Sequence, residues 1–202
     1  MFKSIKYTLL SLFTVFKHLF KRPVTLEYPE KKYPLSEHFR GKPIVNSVNG
    51  EDESLDTILP LVKKYGGVVV ALTLDENGIP ETAEGRVDIA KRIIAEAEKY
   101  GIEKNDLIFD PLALTISADN KAAKETLRAL KIIKEELGCH TSLGVSNVSF
   151  GLPARDLVNG TFFAMALERG LSAAILNPDS QDMMRAYYAF CALSGSDAQC
   201  AS

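Results

Sequence analysis

Gly144-Val-Ser-Asn-Val-Ser-Phe-Gly-Leu-Pro153 sets an uncharged amide, Asn147, where an apolar run ends and a glycine-bounded loop begins. Enzymes built on parallel β/α barrels keep their chemistry at the carboxyl ends of strands. Two comparable ends lie upstream: Pro43-Ile-Val-Asn-Ser-Val-Asn49 carries Asn46, and Leu107-Ile-Phe-Asp-Pro-Leu112 carries Asp110. All three strands of such a barrel open onto one face, so the three side chains predict one site.

Around these ends the chain alternates between two periods. Pro43 to Val48, Val68 to Leu74, Leu107 to Phe109, Thr141 to Val145 and Ala173 to Leu176 read as buried parallel strands, apolar on both faces. Between and after them, helical spacing runs over about Leu55 to Tyr65, Ala83 to Tyr100, Lys121 to Leu137, Ala154 to Arg169 and Gln181 to Leu193. Gly66-Gly67, Gly101 and Gly138 sit just past helix ends, where a left-handed residue is wanted, and Asp, Asn and Thr before the helices suit N-caps. The expected fold class is α/β: a partial TIM-type barrel of about five β/α units over residues 42–202. At 202 residues the whole chain is shorter than the roughly 250 residues typical of eight units.

Residues 1–24 have another character. Phe2, Ile5, Leu9, Leu12, Phe13, Phe16, Leu19 and Phe20 recur at helical spacing with Lys3, Lys6 and Lys17 toward one flank, a basic amphipathic helix. Its longest uncharged stretch, Tyr7 to Phe16, is about half of the roughly 20 residues a helix needs to span a bilayer. No small-residue cleavage site follows, which argues against a signal peptide. The segment reads either as a helix lying in a membrane interface or as one packed on protein. Residues 25–41, with prolines among charges, read as an extended linker.

Charge excludes some functions. Near-balance of 24 basic and 26 acidic residues gives no global bias toward nucleic acid. Cys139, Cys191 and Cys200 follow no close metal-ligand spacing, and their odd number argues against a disulfide framework. His18 and His38 have no visible ligand partners, so no metal site is expected. There is no P-loop, no GxGxxG after a strand and no GxSxG elbow.

Each candidate has a functional and a structural reading. The carboxamide of Asn46 can read a heterocycle edge as donor and acceptor, or cap its own loop. Asp110 can accept two N–H groups from an amidine-like ring edge, or bind N–H groups at its turn. Asn147 can hydrogen-bond a substrate heteroatom whose charge changes during reaction, or shape the turn before Gly151 and Pro153. Asp75 and Glu76 belong to a turn before Asn77-Gly78, and His140 stands at the wrong end of its strand for barrel chemistry.

Ile44-Val-Asn-Ser-Val-Asn-Gly-Glu51, Ala71-Leu-Thr-Leu-Asp-Glu-Asn-Gly-Ile-Pro80, Phe109-Asp-Pro-Leu112, the Gly144 to Pro153 run and Thr161 to Pro178 together resemble the pterin-binding methyltransferase family. That family includes the folate domain of cobalamin-dependent methionine synthase and the methyltetrahydrofolate:corrinoid methyltransferases. The resemblance covers roughly residues 42–200. It implies that Asn46, Asp110 and Asn147 bind the pterin, with Asp110 on the 2-amino and ring N–H groups. Asn147 takes the catalytic place at N5, which releases the methyl group of 5-methyltetrahydrofolate to a corrinoid on a partner. It also implies that the first three barrel units of the family are absent here, with an Asp of the third strand, and that Gly160 replaces an Arg. Open barrel edges would then favour a homo-oligomer.

The first 41 residues resemble the N-terminus of the 23-kDa iron–sulfur subunit of respiratory complex I. That family continues into cysteine cluster motifs, whereas this chain has no cysteine before Cys139, so no iron–sulfur cluster is expected. This second resemblance implies peripheral contact with the inner face of a membrane by an otherwise cytoplasmic protein. An interaction protein of that kind, or a fusion or truncation product without function, is the alternative reading.

Overall fold

The computed structural model describes residues 43–197. The contacts divide the chain between residues 41 and 42, and the description concerns the second unit. The helix expected over residues 1–24, the linker over 25–41 and the resemblance resting on them lie outside the described residues.

Five parallel strands form one sheet in sequential order: β1 (Ile44–Val48), β2 (Val68–Leu72), β3 (Leu107–Asp110), β4 (His140–Gly144) and β5 (Ala173–Ile175). Each is followed by a helix: α1 (Asp52–Tyr65), α2 (Ala83–Lys99), α3 (Ala122–Glu135), α4 (Arg155–Glu168) and α5 (Gln181–Leu193). This sequential, all-parallel order is the arrangement of a (β/α) barrel, here an arc of five units.

Strand alternation divides the sheet's two faces. Val48, Val69, Ala71, Leu107 and Phe109 point to the helices and pack with Leu55, Leu59 and Val62 of α1 and Ala90, Ile93 and Ala97 of α2. Leu143 points the same way, into a second cluster with Leu127 and Leu130 of α3, Phe162, Phe163 and Ala166 of α4 and Met183 of α5. Each Val, Leu, Ile, Phe or Met among them, taken out of water, contributes roughly 1.5–3 kcal/mol. These two clusters hold the helices on one side only.

The opposite, concave face differs from the sequence expectation of strands buried on both sides. Ile44 on β1 and Ile175 on β5 remain 64% and 63% exposed, because these edge strands have no further neighbour among the described residues. Apolar composition alone does not separate a covered face from an open one.

Element ends agree closely with the periodicity. Gly66, Gly101 and Gly138 follow α1, α2 and α3 with φ of 72°, 71° and 68°. The N-cap expectation needs correction: only Thr82 caps with its side chain, accepting from Gly85 N, while Glu51, Lys121, Ala154 and Ser180 do not. The Asn and Asp residues before the helices close local turns instead. Asn49 Oδ1 accepts from Glu51 N, Asp119 Oδ1 from Lys121 N and Asn177 Oδ1 from Asp179 N.

Gly160 on α4 has a packing reason. A Cβ there would lie 3.0 Å from the carbonyl oxygen of Asp182, at the contact between α4 and α5.

Candidate functional site

Asp110 closes β3. Its neighbour Phe109 faces the helices, so alternation turns Asp110 to the concave face, where it is only 7% exposed. Oδ1 accepts from Leu112 N at 2.8 Å, and no described residue donates to Oδ2. Burial pushes the carboxyl up to about 6, against the opposing pull of the Leu112 N–H. A half-satisfied buried carboxylate at a strand end is an acceptor awaiting a donor.

The backbone around Asp110 is fixed from three sides. Thr73, fully buried after β2, donates its N–H to Asp110 O at 3.1 Å. Leu112 takes a left-handed φ of 61°, strained for a residue with a side chain. Behind it lies Arg86 of α2, 0% exposed, with Nη1 donating to Pro111 O at 3.0 Å, Leu112 O at 3.1 Å and Thr126 Oγ1 at 2.8 Å. Its Nε donates to Pro80 O at 2.9 Å. Burial lowers the pKa of this guanidinium, although Glu125 and Asp119 pull it upward.

Sequence reasoning missed Arg86. Its one signal is position: it falls among Ala83, Val87, Ala90 and Ile94 on the apolar stripe of α2, where a solvated cation has no business.

Asn46 lies within β1, inside the strand expected over Pro43 to Val48. It pairs with Val70, which pairs with Ile108, placing it on the concave face two rows below Asp110. A register shift between Asn46 and Val48 inserts Ser47 and returns Val48 to the helix side. Asn46 is exposed.

Asn147 was expected in a loop; it sits in a 3-10 helix, Val145–Ser149, directly after β4. The reason is packing: Val145 and Val148, three apart and therefore aligned in a 3-10 turn, both enter the second core. Asn147 is left outside and exposed. The turn is braced by Arg155, whose Nε donates to Ser149 Oγ at 3.0 Å and Nη2 to Ser146 O at 3.0 Å. From the β3 side, Ile116 N donates to Val148 O, and Thr115 and Ser117 hydroxyls donate to Phe150 O.

The carboxamide of Asn147 folds back over Gly144, the last residue of β4. Gly144 pairs with Ile175 on the concave face, so the amide of Asn147 faces the same side as Asp110 and Asn46. From strand spacing, the Cα atoms of Asp110 and Gly144 lie roughly 8 Å apart, and those of Asp110 and Asn46 roughly 12 Å. The fold thus gathers all three predicted residues on one concave face.

Beside the Asn147 turn, a recess of about 370 Å³ is lined by Ser146, Arg155, Asn159, Asn177 and Ser180 among others. Among the described residues no group of three His, Cys, Asp or Glu side chains is placed to hold a metal ion. No described helix is long and apolar enough to cross a membrane.

Residues 35–177 match the family model for pterin binding enzymes. The chain belongs to the pterin-binding enzyme family. It is 36% identical over 162 residues to a methylcorrinoid:tetrahydrofolate methyltransferase of Eubacterium limosum, an alignment covering 78% of this chain and 59% of that protein. A methionine synthase of Mycobacterium leprae is 35% identical over 154 residues, covering 70% of this chain and 13% of that enzyme. The chain therefore spans about three fifths of the methyltransferase and a small part of the synthase.

In fold, this pterin-binding chain is similar to a dihydropteroate synthase from Coxiella burnetii in complex with pteroic acid. The TM-score is 0.54 at 17% identity, over 76% of this chain and 60% of that one.

Proposed function

We propose that this chain is the methyltetrahydrofolate-binding part of a corrinoid-dependent methyltransferase. The observation that carries the reading is the buried, half-satisfied Asp110 carboxylate on the concave face of a pterin-binding fold. Its free oxygen accepts N–H groups of the pyrimidine edge of a pterin, a charge-assisted pair stronger than neutral hydrogen bonds. Asn46 offers donor and acceptor to a second edge.

Asn147 serves the reacting nitrogen. When the N5–methyl bond breaks, its electron pair would stay on N5, which takes up a proton; a reduced corrinoid carried by a partner protein would supply the electron pair that receives the methyl group. A carboxamide accommodates both states of that nitrogen, since it can donate to a lone pair or accept from an N–H. It stabilises the change without bringing a net charge of its own.

Isothermal titration of the full chain with 5-methyltetrahydrofolate tests the reading. Saturable binding is expected, weakened roughly fivefold to tenfold in Asn147→Ala by loss of one hydrogen bond. A folded wild-type sample that releases no heat and shows no ligand-induced rise in melting temperature sinks it.

The edges of β1 and β5 carry exposed Ile44 and Ile175 and have no partner strand among the described residues. Unpaired edges favour association, so copies of this chain are expected to pair through them. Light scattering after size exclusion should give a mass above that of one chain; a monomer at every concentration refutes this.

A further inference from the structure

We infer that Gly144 is a positioning residue: the absence of a side chain there is what lets the Asn147 carboxamide rest against the end of β4, on the concave face. This inference rests on the role proposed for Asn147.

The backbone of Gly144 does not itself require glycine. Its φ of −77° and ψ of 84° lie on the negative-φ side, open to residues with side chains. The space above it is also open, with one exception. A Cβ built on Gly144 would meet Asn147 Nδ2 at 3.0 Å and Asn147 Cγ at 3.7 Å, and no other atom outside its chain neighbours within 4 Å. Glycines held by packing differ: the Cβ of residue 160 would strike the backbone of Asp182.

The place matters because Asn147 has no other visible anchor. No hydrogen bond among the described residues engages its side chain, and the residue is exposed; its carbonyl, not its amide, accepts from Phe150 N. Val145 and Val148 fix the backbone of the turn by burial, but they do not choose the rotamer of Asn147. The flat surface left by Gly144 admits a rotamer lying back along the strand. A methyl group at that position makes the amide withdraw by a few tenths of an ångström or swing to another staggered position. Hydrogen bonds weaken steeply with such misplacement.

Alanine at 144 is therefore expected to leave the fold intact and to act through Asn147 alone. Four proteins decide it: wild type, Gly144→Ala, Asn147→Ala and the double variant, each as the full chain. In titrations with 5-methyltetrahydrofolate, Gly144→Ala should weaken binding by a factor comparable to Asn147→Ala, and the double variant should bind no more weakly than Asn147→Ala. Independent losses that multiply in the double variant, or wild-type affinity in Gly144→Ala beside a weakened Asn147→Ala, overturn the inference.

A second readout needs no ligand. The side-chain amide resonances of Asn147, identified by their loss in Asn147→Ala, should shift in Gly144→Ala while most backbone resonances stay in place. Unchanged amide resonances overturn the positioning role whether or not the protein binds pterin. Failure of wild-type binding with a shifted amide condemns the pterin reading instead and leaves the geometry of Gly144 standing.

Discussion

Asp110→Asn is expected to raise the melting temperature near neutral pH and, in the same protein, to abolish high-affinity pterin binding. The carboxyl is 7% exposed and its pKa stands at about 6 against an ordinary 3.8, chiefly through burial. The native state therefore holds the proton more tightly than the unfolded chain. Stability from this group is complete below about pH 4 and is lost as pH rises through about 6. The loss amounts to at most about 3 kcal/mol.

Asparagine escapes that loss, because its amide oxygen still accepts the Leu112 N–H that Oδ1 now accepts. A gain of several degrees in melting temperature at pH 7 is expected, from about 2–4 °C per kcal/mol in a chain of this size. The difference from wild type should shrink below pH 6 and vanish at about pH 3, where Asp110 is neutral in both the folded and the unfolded chain. Affinity moves the other way, since an ionised carboxylate accepts two N–H groups where asparagine presents a donor of its own. A weakening of about a hundredfold in titration is expected. A variant less stable than wild type at pH 7, or one that binds normally, removes Asp110 from the role proposed for it.

Arg86→Met carries the second large effect. The methionine leaves Pro80 O, Pro111 O, Leu112 O and the Thr126 hydroxyl without the donor that now reaches them. Leu112 O keeps the Thr126 hydroxyl as a donor, so Pro80 O and Pro111 O are the carbonyls left unpaired. At about 1–3 kcal/mol each, with the lost packing of the side chain, a total of about 3–5 kcal/mol is expected after relaxation. The melting temperature should fall by roughly 10 °C. Arg86→Lys, which keeps the charge but cannot fork among the carbonyls, should fall between. Circular dichroism melts of the three proteins measure it. A loss near 1 kcal/mol for Arg86→Met would show that water replaces the guanidinium.

In the role proposed for Asp110, this buried cation acts only indirectly. Arg86 grips the two residues after Asp110, including left-handed Leu112, whose N–H the carboxylate accepts. The arginine is therefore part of the wall behind the site rather than a group that touches the ligand.

How far the chain could be read without coordinates follows from which signals are local. Strands and helices of residues 43–197 were legible within a residue or three, since periods of 2 and 3.6 are local properties. Asn147 came out correctly as the residue just past β4 but wrongly as a loop residue. The spacing of Val145 and Val148 that builds the 3-10 turn gains meaning only once a core exists to receive them. The N-caps were misplaced because Asp and Asn close their own turns as readily as they cap helices. Asn46 fell inside the strand expected over Pro43 to Val48, yet the register shift that follows it and turns Val48 to the helix side is something no single strand reveals.

The sequence by itself determined the parallel β/α order and the family, and it singled out the three polar residues proposed for the site. Periodicity, punctuation and motif order are written along the chain. Only the tertiary structure decided which strand faces are covered, that Arg86 is buried behind Asp110, and that the amide of Asn147 rests on Gly144. Those facts depend on register and on atoms brought together from residues 26 to 40 positions apart or across one tight turn. Burial and steric fit are properties of neighbours in space, and the chain acquires those neighbours only by folding.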